Sequence, residues 1–139
     1  FHSRAEIKYE SYNKAVNIEA LTMIDMTVKQ ILPAVIEYTG TLSGIIQSLK
    51  AVDVAPTVQS ELLRDIMSLL NEANAAVRVL RKVTAEASGI QDNEERAHYY
   101  HDHVMPAMDA LRSPIDSLEM LVDKEVWPMP SYGDLMFEV

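Results

Sequence analysis

The sequence contains no cysteine. Disulfides, thiolate zinc sites and a cysteine nucleophile are therefore excluded. Glycine and proline are scarce, with 4 and 6 copies in 139 residues, which disfavours the turn-rich β sandwiches. No apolar run approaches the roughly 20 residues that a bilayer-spanning helix needs, so no membrane partner is expected. Clustered Lys and Arg that could track a phosphate backbone are missing, and with them the basis for binding nucleic acid. No HExxH, Walker or GxSxG pattern occurs. The N-terminus, Phe1-His2-Ser3-Arg4, has neither an initiator Met nor the apolar core of a signal peptide, so the chain is expected to be a domain of something longer. Absence of Cys and of a membrane span fits a cytoplasmic protein.

What remains is helical in character. Hydrophobic residues make up 48% of the chain, within the ordinary globular range, and Ala, Leu, Met, Glu and Ile are common. The first segment, about residues 3–50, carries Leu21, Ile24, Val28, Ile31, Val35, Tyr38, Leu42, Ile45 and Leu49 at alternating steps of three and four. That spacing predicts an apolar seam facing partner helices. Unbroken, it would be about 70 Å long. Pro33 lacks an amide hydrogen and crowds the carbonyl of Lys29, which predicts a kink. Gly40 and Gly44 beside the seam suggest a close helix approach. Before Leu21 the seam meets Asn17 and Lys14, so residues 1–20 are expected to project beyond a bundle.

A second helix, about 57–88, repeats the pattern through Leu62, Ile66, Leu69, Ala73, Ala76, Leu80, Val83 and Ala87, with Thr57 as its expected cap and Gly89 as its left-handed stop. A third, about 92–125, opens on the Asp92/Glu95 capping spacing and follows Tyr100, Val104, Met108, Leu111, Ile115, Leu118 and Val122. Pro106 and Pro114 should bend it. The eight methionines are expected mainly as core filler. Short connections make neighbours antiparallel. The predicted fold is all-α: a three-helix antiparallel, up-down-up bundle over residues 1–126, with a long kinked first helix and an extended docking tail over 127–139. In that tail Trp127, Pro128, Pro130, Tyr132, Leu135 and Phe137 are the docking candidates, because proline breaks the helix and large apolar groups need a surface.

The formal charge of −9 is uneven: residues 90–139 hold eleven acidic groups against three basic ones. A solvated acidic face is the plain reading, and a docking face for a basic partner the sharper one. Arg78, Arg81 and Lys82 form one small basic patch. Only His98-Tyr99-Tyr100-His101-Asp102-His103 looks like a chemical site. On an α-helix His98, His101 and Asp102 share a face at i, i+3 and i+4, a spacing that can bind a metal. Exposed histidines in a charged helix are the commoner outcome, so no catalytic, cofactor or metal site is assigned. The pairs Asp116/Glu119 and Asp123/Glu125 would need burial to work as acid and base.

Several strings resemble one family when taken together: Arg4-Ala5-Glu6-Ile7 with Tyr12, then Asn17-Ile18-Glu19-Ala20-Leu21-Thr22-Met23-Ile24-Asp25-Met26, then Gln30-Ile31-Leu32-Pro33-Ala34 with Tyr38. Val104-Met105-Pro106-Ala107-Met108 with Leu111-Arg112, and Trp127-Pro128-Met129-Pro130-Ser131-Tyr132 before Leu135-Met136-Phe137, continue the likeness. They resemble the C-terminal helical domain of type III glutamine synthetases. The resemblance implies a parent enzyme that joins ammonia to glutamate with ATP and Mg or Mn, in cytoplasmic ring oligomers. Its catalytic and nucleotide motifs have no counterpart among these residues. The chain is then expected to be a non-catalytic structural or assembly domain, with the catalytic domain of the same polypeptide and neighbouring subunits as partners. A regulatory or partner-binding module using the acidic last third is the alternative.

Overall fold

The computed structural model describes residues 4–129. Among these every regular element is helical, as the composition and seams predict. The first segment is α1 (Arg4–Met26), a π-helical turn (Thr27–Ile31) and α2 (Leu32–Ala51). The second is α3 (Thr57–Ser88); the third is α4 (Asn93–Tyr99), a second π-turn (Tyr100–Val104) and α5 (Met105–Leu121).

Both π-turns have the same local cause. Each ends one residue before an X-Pro pair, Leu32-Pro33 and Met105-Pro106. In α geometry the proline would face the carbonyl four residues back with no hydrogen to offer it and a ring in its way. Instead the residue before the proline reaches back five: Leu32 N–H donates to the Thr27 carbonyl, and Met105 N–H to the Tyr100 carbonyl. The widened turn relieves the crowding and places each proline in the first turn of the next helix, where a missing amide costs least. Pro114 is handled differently; it lies inside α5 and is buried.

The core gathers Ile24, Ile31, Val35 and Leu42 from the first segment, Ile66, Ala73, Leu80 and Ala87 from α3, and Tyr100, Val104, Met108, Leu111, Leu118 and Val122 from the third. The two later seams therefore pack as their spacing predicts. In the first segment, Leu21, Val28 and Ile45 are exposed. The buried stripe passes instead through Asn13, Val16, Ala20, Ile24 and Thr27, so burial continues well before Leu21. Residues 1–20 were expected to project; from Arg4 onward they pack against α4 instead. Asn13 Nδ2 donates to the Asn93 carbonyl (3.0 Å) and Asn93 Nδ2 to Glu6 Oε1 (3.1 Å).

Other local expectations also change. Space is open where a Cβ would sit at Gly40 or Gly44, so neither marks a close approach. Thr57 is the first residue of α3, not its cap; Pro56 holds the cap position with no side-chain bond. Gly89 is right-handed (φ −82), and the left-handed residue is Asp53 (φ 60) in the α2–α3 connection. Asp92 does cap α4, accepting from the Glu95 amide at 3.0 Å. Met108 fills core, but Met67, Met105 and Met120 are exposed.

After α5 the chain turns on Asp123. Its carbonyl accepts from the Val126 and Trp127 amides, and its carboxylate from the Glu125 amide at 2.9 Å. This turn carries Trp127 into the core at 8% exposure, while Pro128 is exposed. Pro130, Tyr132, Leu135 and Phe137, the remaining docking candidates, lie outside the described residues.

Candidate functional site

The histidine cluster spans the end of α4 and the second π-turn. His98 faces Glu94 at 3.9 Å and is well exposed. His101 Nδ1 lies 3.0 Å from Asp102 Oδ1. Hydrogen bonding from His101 holds the Asp102 carboxyl below its ordinary value, against the opposing effect of burial and with further help from the charges of His101, His103 and His98. His103 stacks on Tyr99, ring centres 4.4 Å apart. The i, i+3, i+4 argument assumed a continuous α-helix, and the wider turn from Tyr100 shifts His101 and Asp102 relative to His98. Among the described residues no three His, Asp or Glu side chains are placed to hold a metal ion. Asp116 is exposed, and Asp123 is occupied in its turn.

Two other places carry more structure. One is the far end of the α2–α3 hairpin. Between Leu42 and Ile66 no residue is buried. Ile45 (42%), Val52 (66%), Val54 (50%) and Val58 (72%) are exposed there, while Leu49, Leu62 and Leu63 are half covered.

The second is a cleft of about 340 Å³ where α1 meets α4 and the end of α3. Glu10, Asn13, Lys14 and Asn17 line it from α1, and Arg96 and Tyr100 from the third segment. Arg96 Nε donates to the Ile90 carbonyl at 2.6 Å, which fixes the guanidinium at the cleft. Tyr100 donates to Asn17 Oδ1 at 3.2 Å; burial pushes this phenol above its ordinary 10.0, partly offset by Arg96. Asn13 is buried and its Oδ1 accepts no hydrogen bond. Sequence reading missed this cleft, although its signal was present: Lys14 and Asn17 are the polar residues at which the apolar seam fails.

Residues 1–50, which cover α1, the first π-turn and most of α2, match the glutamine synthetase C-terminal domain. Over these residues the chain is similar to that domain family. A glutamine synthetase of Bacteroides fragilis (strain YCH46) is 28% identical over 96% of the chain. One from Butyrivibrio fibrisolvens is 31% identical over 99%. A type-3 glutamine synthetase of Dictyostelium discoideum is 31% identical over 97%. The domain spans about one fifth of each relative's length (19%, 20% and 19%). No helix of the described residues is long and apolar enough to cross a membrane.

Proposed function

We infer that this domain is a non-catalytic structural and assembly element of a type III glutamine synthetase, an enzyme making glutamine from glutamate and ammonia with ATP and Mg or Mn. Its partners are the catalytic domain of the same polypeptide and neighbouring subunits in a cytoplasmic oligomer. An up-down-up bundle with its bend at the Pro33 π-turn suits that role. The supporting contacts are Asn13 with Asn93, Asn17 with Tyr100 and Glu19 with Arg112, which advance together along the first and third segments, the parallel sense that such a chain requires.

The observation that carries the reading is the hairpin end between Leu42 and Ile66. A folded chain that leaves Ile45, Val52, Val54 and Val58 exposed at one end presents an apolar surface that water does not favour. Covering it against the rest of a larger enzyme resolves that cost. The test replaces Val52, Val54 and Val58 by Ser in the full-length glutamine synthetase that contains the domain. Mass photometry should show smaller assemblies, while the 139-residue domain carrying the same changes keeps its melting temperature. Unaltered assembly would refute the reading.

A further inference from the structure

We propose that the cleft between α1 and α4 binds a free α-amino acid through both of its charged groups. The inference rests on the cleft's chemistry and is independent of the assembly role. A volume of about 340 Å³ falls in the range of small-molecule sites. In a chain of net charge −9, two cations, Lys14 and Arg96, face this cleft beside one carboxylate, Glu10. Neither Lys14 nor Glu10 has a partner among the described residues, so both charges are available to a ligand. Arg96 spends its Nε on the Ile90 carbonyl and keeps its two Nη groups as donors. Asn17 accepts from Tyr100 through Oδ1, leaving its amide N–H groups to donate. These donors suit a carboxylate, which pairs best with guanidinium and ammonium groups. One acceptor stands open in the same cleft, the Glu10 carboxylate; Asn13 lines it too, with its unpartnered Oδ1 buried behind the surface, where a ligand reaches it only by a small shift of the side chain. A buried acceptor without a donor is costly, and a ligand ammonium supplies three hydrogens. A ligand with only one of the two charges would satisfy one half of this lining and desolvate the other for nothing.

The 139-residue domain should be titrated by calorimetry with a panel of L-amino acids and glycine, and separately with acetate, methylamine and inorganic phosphate. At least one amino acid should bind saturably, and acetate, methylamine and phosphate should each bind about tenfold more weakly or worse. Lys14→Met and Glu10→Gln change exposed residues, so circular dichroism should show both variants folded. Each should weaken the amino acid about tenfold, the size of one lost charge-assisted bond. No saturable binding of any amino acid would overturn the proposal. So would affinity unmoved by both variants, or acetate or phosphate binding as tightly as the amino acid, which would make the cleft a simple anion site.

Discussion

Replacing Leu111 by Ala tests whether the α3–α5 contact is the centre of the folded domain. Leu111 is 0% exposed and lies near the middle of α5, which makes its most extensive packing with α3. The substitution removes three carbons, worth about 2.4 kcal/mol at about 0.8 kcal/mol for each buried methylene. A cavity term adds to this when rigid neighbours cannot close the gap, and Leu-to-Ala changes in other cores reach about 5 kcal/mol. The extensive contact between α3 and α5 limits collapse. Alanine's better helix propensity returns only a few tenths of a kcal/mol. The expected loss is about 3–4 kcal/mol, or a melting temperature lowered by about 10–15 °C in a chain of this size. Urea unfolding followed by circular dichroism at an unchanged slope would measure it. Val58→Ala is the control: at 72% exposure it should change stability by less than about 0.5 kcal/mol. A loss below about 1 kcal/mol for Leu111→Ala, or one no larger than the control's, would show that this contact does not hold the fold.

Asp53→Gly should stabilise the domain by about 0.5–1 kcal/mol, because Asp53 sits at φ 60, where glycine has no Cβ to strain; a lower urea midpoint would show that the Asp53 side chain contributes more than its backbone costs. Alkaline pH should destabilise the domain through Tyr100. Its folded pKa is raised by burial, so its contribution is fully present below 10.0 and fades as pH rises through the higher folded value. Tyr100→Phe should flatten the alkaline limb of a stability–pH profile, and an unchanged limb would remove this phenol as its source.

The helical class and the two later seams were legible because large apolar residues at helical spacing dominate those segments. Ile66, Leu80, Leu111 and Leu118 could hardly face water together. The first segment was harder, because it bears two apolar stripes. Ala20 and Thr27, nearly inaccessible at 0% and 1% exposure, are small or polar and leave little trace in a hydropathy pattern. Leu21 and Val28 are larger and exposed. Asn13 was hidden for another reason: its burial depends on the Asn93 carbonyl, 80 positions away. Pro33 and Pro106 announced a disturbance, but the five-residue reach-back that accommodates them depends on the whole helix keeping its core face. The cleft depends in the same way on α1 lying beside α4, a pairing that no local pattern specifies.

The two widened turns bear on how chains of this kind diverge. A π-turn holds one residue more than the α-turn it replaces. Loss of one residue within 27–31 or 100–104 can therefore be absorbed by tightening that turn, leaving the faces on either side in phase. The same loss inside α3, which has no such turn, would rotate every later side chain by about 100°. Aligned relatives should accordingly show their single-residue gaps within helices at these two turns and nowhere along α3.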